Sequence, residues 1–380
     1  MYNDTIRFIR ETFKEQEAFI PLHAPYFGGN EKKYLLDTID STFVSSVGAY
    51  VNRFEEMMQE ITGAKYAIAT TNGTTALHLA LIVAGVKRDE EVITQPLTFV
   101  ATANAITHAQ GIPVFVDVDK DTMGLSPKAL EDFLVANAEV KDGVCINKTT
   151  GRHIAACVPM HTFGFPCRID DIAAICERYN IALVEDAAES LGTYYKGKHT
   201  GNFGLVAAFS YNGNKTVTCG GGGAIITNDE KLAQHAKHLS TTAKIPHPYE
   251  FVHDEVGYNY RMPNLNAAVA CAQLEQLQQI LDNKRALADT YKNYFAGTDL
   301  QFVTEAVDGK ANYWLNTVVL KDLDARDAFL KATNDNKVMT RPIWKLMNKL
   351  VMYQHCQCGP LENSQWLEDR VVNIPSSYRP

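Results

Sequence analysis

The sequence predicts an α/β fold with a mostly parallel central sheet flanked by helices, followed by a smaller C-terminal α+β domain. From about residue 64 to residue 230, short β-rich runs alternate with helical periods, which implies crossover connections and a sheet covered on both faces. The chain has 380 residues, more than the roughly 250–300 at which a single core stops growing. We therefore expect a large α/β domain at residues 1–245, including the N-terminal segment, and a small domain at residues 246–380.

Seven strands are predicted in the large domain, because seven β-rich runs lie between turn or helical segments. They are Lys65–Thr71, Glu91–Gln95, Ile112–Asp117, Ile154–His161, Ile181–Glu185, Leu205–Ser210 and Gly223–Thr227. The segments between them, such as TTALHLALIVAG and IDDIAAICERYN, are typical of helices.

The pattern changes near residue 240. Residues 241–263 contain three prolines and predict a long loop, a feature that is usually functional or mobile. One long helix is predicted from Asn264 to Tyr294, since apolar residues recur there at helical spacing. A strand at Tyr313–Leu320 and a helix at Ala325–Thr333 complete the predicted small domain.

Composition and charge exclude several classes of protein. The formal net charge is −8 without a Lys/Arg cluster, so nucleic acid is not the expected partner. No apolar run reaches the roughly 20 residues of a membrane span, and the N-terminus lacks a signal-peptide core. The eight cysteines lack CxxC spacing, and the CxC at Cys356 and Cys358 has no second ligand pair. We expect a cytoplasmic enzyme with reduced thiols and without a metal site.

Three motifs carry chemistry, and the first is Thr71-Asn72-Gly73-Thr74-Thr75 between a predicted strand and a predicted helix. Gly73 permits a tight turn, and the N–H groups and dipole of the following helix start favour a phosphate. A plain helix cap with a turn glycine is the more frequent explanation of such a motif when it is taken alone.

The second motif is Val184-Glu185-Asp186-Ala187-Ala188-Glu189, an apolar strand that ends in carboxylates. Open α/β sheets place their ligands at this edge, where a carboxylate can pair with a protonated ring nitrogen. The alternative is a helix-capping aspartate.

The third motif places a single lysine, Lys215, in a Gly/Asn-rich loop that is followed by the glycine run Gly220–Gly223. Most lysines are solvated surface charges, but a lysine held in a pocket can lose its proton and form a Schiff base. Pyridoxal phosphate requires a phosphate-binding turn, a carboxylate for its ring nitrogen and a lysine for the Schiff base. The three motifs supply these groups in this order on an α/β domain.

The chain resembles the DegT/DnrJ/EryC1/StrS sugar aminotransferases, which are pyridoxal-phosphate enzymes of fold type I. The resemblance covers essentially the whole length, from PLHAPYFGGNEKKYLLDTID to VVNIPSS. It rests on TNGTTALHLAL, QPLTFVATANAI, PVFVDVD, VPMHTFGFPCRID, VEDAAESLG, FSYNGNKTVTCGGGGAI and DEVGYNYRMPNLNAA.

The resemblance implies a role for each matching residue. Lys215 would form the Schiff base with the cofactor and shuttle a proton, and Asp186 would keep the pyridine nitrogen protonated. Gly73, Thr74 and Ser210 would bind the phosphate.

Four further cofactor contacts are implied. Phe99 would stack on one face of the ring and Ala188 would pack on the other. Glu189 stands where many relatives carry glutamine or histidine against the phenolic oxygen, so its role differs from theirs. Asn259 would reach the phosphate of the neighbouring subunit, which predicts a homodimer with shared active sites.

The implied reaction moves an amino group from L-glutamate to a nucleotide-sugar, with pyridoxamine phosphate as the intermediate form of the cofactor. A minority of the family carries histidine at the position of Lys215 and dehydrates its sugar, so lysine favours transamination. Within the family, the branch acting on UDP- or GDP-linked 4-keto-6-deoxy-N-acetylhexosamines, on routes to bacillosamine and legionaminic acid, is most similar. Candidate donors and aromatic groups for this substrate are Arg53, His253, Arg261, Tyr313, Trp314, Arg341, Trp344 and Lys345.

Other functions remain open at this stage. The sugar could be a 3-keto sugar, or a 4-keto sugar without the N-acetyl group, as in perosamine formation. A non-catalytic pyridoxal-phosphate sensor or assembly protein has no need of the Lys215, Asp186 and Ser210 set. A nicotinamide oxidoreductase fits the α/β pattern, but GxGxxG does not follow the first predicted strand.

Overall fold

A computed structural model describes residues 2–379. Its helices are α1 (Asn3–Phe13), α2 (Glu31–Asp40), α3 (Ala49–Thr62), α4 (Gly73–Val83), α5 (Val100–His108), α6 (Pro127–Asn137), α7 (Ile169–Arg178), α8 (Glu230–Ser240), α9 (Asn264–Leu274), α10 (Leu277–Phe295), α11 (Leu323–Asp335) and α12 (Glu362–Glu368). Short 3₁₀ turns lie at Thr162–Gly164 and Met347–Lys349.

The strands form one large sheet and several small ones. They are β1 (Tyr66–Thr70), β2 (Glu91–Thr94), β3 (Ile112–Phe115), β4 (Ala138–Lys141), β5 (Val144–Asn147), β6 (Ile154–Val158), β7 (Ala182–Asp186), β8 (Tyr194–Tyr195), β9 (Lys198–His199), β10 (Val206–Ser210), β11 (Gly223–Thr227), β12 (Lys244–Ile245), β13 (Val252–His253), β14 (Gln301–Phe302), β15 (Gly309–Lys310), β16 (Asn316–Val319), β17 (Arg341–Pro342) and β18 (Val371–Ile374). The large sheet has seven strands in the order β1-β11-β10-β7-β6-β2-β3, and β14-β16-β18-β17 form a four-stranded sheet near the C-terminus.

All seven predicted strands of the large sheet are present, and the prediction of a mostly parallel sheet is confirmed. The pairs β10–β7, β7–β6, β6–β2 and β2–β3 are parallel. Only β11 runs against its neighbours, β1 and β10. No helix separates β10 from β11, so the chain reverses instead of crossing over, and the loop between them carries Lys215.

Helices cover both faces of this sheet. Side chains of α4, α5 and α8 pack with alternate strand residues on one face. Side chains of α3 and α9 pack on the other face near β1, β10 and β11, and those of α6 and α7 pack on it near β2, β3 and β6. The parallel strands are therefore buried on both sides, as their apolar sequences require.

The single helix predicted from Asn264 to Tyr294 is wrong, because it is divided into α9 and α10. At the break, the Gln276 side chain donates to Glu31 Oε1 at 2.7 Å and to the Ala272 carbonyl at 3.0 Å. α9 packs on the large sheet together with Leu277, Ile280 and Leu281 at the start of α10, whereas the later residues of α10 pack on the C-terminal sheet. The change of packing partner falls within α10, after the break, and neither glycine nor proline marks the break in the sequence.

The predicted loop at 241–263 contains a small hairpin, since β12 and β13 pair antiparallel. The hairpin exposes two aromatic side chains, Tyr249 and Phe251, which are 81% and 80% exposed. The predicted small-domain strand and helix are present as β16 and α11, within a few residues of their expected bounds.

The proposed division at residues 245 and 246 is crossed by packing at both ends of the chain. α1 lies in the C-terminal core, where Ile6 and Ile9 pack with residues of α10, β16 and α11. α9, in contrast, belongs to the core of the large sheet. The domain boundary between residues 245 and 246 stays a prediction. In the hydrophobic cores, α1 packs with the C-terminal sheet.

Candidate active site

One cavity of about 880 Å³ opens at the carboxyl ends of β7 and β10. Its walls bring together residues that the sequence places in separate motifs. The predicted site residues among them are Gly73, Thr74, Phe99, Asp186, Ala188, Glu189, Ser210, Lys215, Arg341, Trp344 and Lys345. Its volume and mixed lining are those of a small-molecule site.

The amino end of α4 forms one end of the cavity. Asn72 caps this helix, since its side chain accepts from Thr75 N at 2.9 Å and Thr75 Oγ1 accepts from Asn72 N at 3.2 Å. A Cβ on Gly73 would lie 2.6 Å from Ser210 Cβ and 2.9 Å from Ser210 Oγ. The absence of that side chain leaves a cradle between a helix amino terminus and a hydroxyl, which suits a phosphate.

The Asp186 carboxylate lies at the end of β7, and its side chain is buried. Its Oδ2 accepts from Thr102 Oγ1 at 2.7 Å, and its Oδ1 accepts from Ala188 N at 3.2 Å. Burial raises the pKa of Asp186, while these hydrogen bonds and the charge of Lys215 oppose that rise. The environment therefore suits a carboxylate that pairs with a cation inside the cavity.

The Lys215 amine projects from the loop between β10 and β11 into the same cavity. Its Nζ lies 3.1 Å from Glu189 Oε1 and 4.0 Å from the centre of the Trp314 ring. The side chain is only 12% exposed. A carboxylate and an aromatic face thus hold the amine in place.

Glu189 is almost fully enclosed, and Phe163 N donates to its Oε2 at 2.8 Å. Burial raises the pKa of Glu189 to about 7, although the Lys215 charge and this backbone N–H act against the rise. The group can therefore gain or lose a proton near neutral pH.

The other end of the cavity is cationic and aromatic. Arg341 and Lys345 line it together with Trp344, whose ring centre lies 4.8 Å from that of Phe163 and 6.3 Å from that of Phe99. Phe99 is 49% exposed, so its ring is free to meet a ligand. This end suits an anionic group next to a flat or apolar one.

Three predicted residues do not line the cavity of this chain. Arg261 is buried and its Nη1 donates to Glu55 Oε1 at 2.7 Å, so in this chain a carboxylate engages it outside the cavity and its substrate role stays a prediction. His253 is exposed on the hairpin, where its Nδ1 lies 2.8 Å from the Thr242 carbonyl. Asn259 is exposed as well.

Arg53 and Tyr313, the weaker substrate candidates, also lie outside the cavity lining. Arg53 pairs with Glu275, and the buried Tyr313 ring packs against Phe165. The third such candidate, Trp314, does line the cavity.

Sequence reasoning did not find Thr102 or Phe163. Thr102 lies one helical turn after Phe99 on α5 and reaches an aspartate on a different strand. Its place in QPLTFVATANAI gave the only local signal, because a contact between residues 84 positions apart leaves no periodic trace.

The comparisons with known proteins agree with this geometry. The model of the DegT/DnrJ/EryC1/StrS aminotransferase family matches residues 25–379. This chain belongs to that family. EpsN of Bacillus subtilis strain 168 is 37% identical to it over 365 residues, which cover 94% of this chain and 90% of EpsN.

Two further family relatives show the extent of the similarity. A GDP-perosamine synthase of Escherichia coli O157:H7 is 35% identical, with 94% of this chain and 93% of that protein covered. The crystal structure of a DegT DnrJ EryC1 StrS aminotransferase from Brucella abortus is similar with a TM-score of 0.83 at 26% identity, covering 91% of this chain and 90% of that one.

The family assignment makes this chain a pyridoxal-phosphate-dependent sugar aminotransferase of fold type I. The residues present fit the cofactor. The cradle at Gly73 accommodates a phosphate, buried Asp186 can face a ring nitrogen, and the Lys215 amine opens into the same cavity.

Two other properties concern residues 2–379. None of the helices there is long and apolar enough to cross a membrane. In the same range, His, Cys, Asp and Glu side chains form no group of three or more that could hold a metal ion.

Proposed function

We propose that this chain transfers the amino group of L-glutamate to the 4-keto group of a nucleotide-linked 4-keto-6-deoxyhexose, giving a 4-amino sugar for bacterial surface glycans. The observation that carries the proposal is that Lys215, Asp186 and the cradle at Gly73 share one cavity with the cationic end at Arg341 and Lys345. Glutamate leaves as 2-oxoglutarate while the sugar ketone becomes an amine, so the reaction balances without an oxidant.

Pyridoxal phosphate, when bound, supplies the electron sink that stabilises a carbanion at the reacting carbon. Gly73, Thr74 and Ser210 hold the phosphate, and Asp186 keeps a proton on the ring nitrogen. Lys215 Nζ takes the proton from the α-carbon of glutamate. Its neighbour Glu189 accepts a hydrogen bond from this amine, with 3.1 Å between Nζ and Oε1. This contact orients the amine.

Phe99 and Ala188 both line the cavity, and we assign them to the two faces of the cofactor ring. Both are compact or apolar there, so a flat ring can lie between them and exclude water from the reacting atoms.

The pyrophosphate of the sugar substrate would be held by the cationic end of the cavity. The chain is acidic overall, so local donors must supply this contact. Arg341 is exposed toward solvent and Lys345 and Trp344 lie beside it. A guanidinium can bind an anionic oxygen pair in a fork, and the indole can flank the sugar or the base.

The local sequence resemblance supports the N-acetylhexosamine form of the sugar. The second candidate lacks the N-acetyl group, and the names of the GDP-perosamine synthases at 35% identity favour it. Both share the 4-keto-6-deoxy ring, so the same reaction serves either.

We also propose a homodimer. Large apolar side chains are exposed on and around α2, which is unusual for a monomer surface. They are Phe27, Leu36, Ile39, Phe43, Val44 and Val47. The exposed Asn259 would then complete the phosphate site of the second copy. Sedimentation of the protein, with Phe43→Glu as a variant, tests this: a monomeric wild type would contradict it.

The test of the function is amination with defined sugars. Purified protein with pyridoxal phosphate and L-glutamate would be given UDP- and GDP-linked 4-keto-6-deoxy-N-acetylhexosamine and, separately, GDP-4-keto-6-deoxyhexose. We expect an amino sugar and an equal amount of 2-oxoglutarate from one of them, and none with Lys215→Ala. If glutamate leaves the cofactor spectrum of the wild type unchanged, the aminotransferase assignment to this site fails and a non-catalytic role returns.

A further inference from the structure

A fully buried lysine lies outside the machinery described above. Lys284 on α10 is 1% exposed, and its Nζ donates to the carbonyls of Ser376 at 2.9 Å, Trp314 at 3.0 Å and, more weakly, Tyr313 at 3.5 Å. Within residues 2–379 it makes no ion pair with a carboxylate. Burial lowers its pKa to about 7, so holding a charge there is costly.

Two of the carbonyls that Lys284 binds, those of Tyr313 and Trp314, belong to a strained turn. Tyr313 has a φ of 49°, a left-handed conformation that persists only where surrounding contacts fix it. Asn312 fixes the turn from the other side, because its Oδ1 accepts from Trp314 N at 2.8 Å. Its Nδ2 donates to the carbonyls of Glu189 and Leu191.

This turn presents Trp314 to the reactive amine. The indole Nε1 donates to the Asn214 carbonyl at 2.6 Å, next to Lys215 in the chain. The ring face lies 4.0 Å from Lys215 Nζ. Lys284 therefore binds the carbonyls of Tyr313 and Trp314, which lie on either side of the Trp314 Cα. The Trp314 ring in turn contacts the Lys215 amine.

We propose that Lys284 is a positioning residue of the active site, which holds the Trp314 indole against the Lys215 amine by binding the carbonyls on both sides of Trp314. The proposal rests on the proposed role of Lys215. Without Lys284, the turn relaxes, the indole leaves the amine, and Lys215 becomes more accessible.

The test uses the reactivity of Lys215 in the full-length apoprotein. Brief acylation with acetic anhydride near neutral pH, followed by peptide mass spectrometry, reports the rate at each lysine. We expect Lys284→Met to raise the rate at Lys215 by about threefold or more, and Trp314→Leu to raise it by a similar factor. The double variant should react no faster than Trp314→Leu, since Lys284 acts only through that indole.

A matched control is Lys292→Met, which removes an exposed lysine from the same helix and should leave the rate at Lys215 unchanged. An unchanged rate in Lys284→Met, or factors that multiply in the double variant, would overturn the proposal. Lys284→Gln, whose amide keeps two donors, carries the same comparison if the methionine variant does not fold. Loss of the fold in both would assign Lys284 to general stability and overturn the proposal as well.

Failure of the proposed function is recognised separately. Borohydride reduction of the holoenzyme and peptide mapping show whether Lys215 carries the cofactor, independently of the acylation rates. In an active holoenzyme, Lys284→Met should lower kcat by about fivefold or more with little change in the KM for the sugar, because the cationic end of the cavity is untouched.

Discussion

Lys215 Nζ and Glu189 Oε1 lie 3.1 Å apart in the wall of the cavity, with side chains only 12% and 1% exposed. The carboxylate is thus the ion-pair partner of the amine that we propose as the reactive one. A buried pair of this kind depends on both members, since either one alone is an uncompensated charge.

The first prediction concerns the protonation of Glu189. Burial raises its pKa from 4.5 to about 7, so between these values the folded protein holds a proton that the unfolded chain has released. Stability therefore falls as pH rises through this window and levels off above about pH 7. Urea unfolding of the apoprotein from pH 4.5 to pH 7.5 should show wild type losing about 2–3 kcal/mol more than Glu189→Gln.

Glu60→Gln is the control for this comparison, because Glu60 is exposed on α3. It should follow the wild-type pH dependence. Parallel curves for wild type and Glu189→Gln would show that Glu189 does not take up a proton in this window.

Thr102 is predicted to tune Asp186. Thr102→Val keeps the shape but removes the hydroxyl that donates to Asp186 Oδ2 at 2.7 Å. Because hydrogen bonds to charged groups contribute about 1.5–3 kcal/mol, cofactor affinity should fall about tenfold or more. The acid limb of the pH profile of cofactor affinity should also move to higher pH in the variant. The lost hydrogen bond opposes the rise in the Asp186 pKa, so its removal lets that pKa rise further. Fluorescence titration with pyridoxal phosphate measures both.

Thr107→Val, on the same helix, serves as its control, since that hydroxyl donates to the Ala103 carbonyl instead. A wild-type pH profile in Thr102→Val would remove Thr102 from the account of the site.

Gly73 is predicted to be essential for the phosphate cradle. In Gly73→Ala the new Cβ would lie 2.6 Å from Ser210 Cβ, a distance that forces one of them to move. We expect at least about a tenfold loss of affinity for pyridoxal phosphate, equivalent to about 1.4 kcal/mol, while pyridoxal, without the phosphate, is affected less. Gly213→Ala, in open space on the Lys215 loop, should bind normally, and equal losses for the two ligands would count against a phosphate site here.

Arg341 is predicted to bind the pyrophosphate of the sugar substrate. Arg341→Gln should raise the KM for the nucleotide-sugar about tenfold, in line with the loss of a charge-assisted contact of about 1.5 kcal/mol, and leave the KM for glutamate unchanged. Initial rates with each substrate varied in turn separate the two. Arg7→Gln, which changes an exposed arginine on α1, is the control. If Arg341→Gln changes only the KM for glutamate, Arg341 binds the amino donor glutamate and not the nucleotide-sugar.

The sequence by itself determined the seven strands, the order of the phosphate, aspartate and lysine motifs, and the family. These features are local: period-two and helical patterns, a turn glycine, and motifs that each occupy one short stretch of chain. Lys215 and Asp186 could be named because each follows a strand of a sheet whose carboxyl edge collects ligands.

Only the tertiary structure decided which side chains meet across the sheet and between the cores. No local pattern marks the division of α9 from α10, and Glu55, 206 positions away, holds Arg261 outside the cavity lining of this chain. The contacts of Thr102 with Asp186 and of Lys284 with Trp314 join elements far apart in the chain. Such contacts depend on how whole elements pack, and packing leaves no periodic signature around the residues that make them.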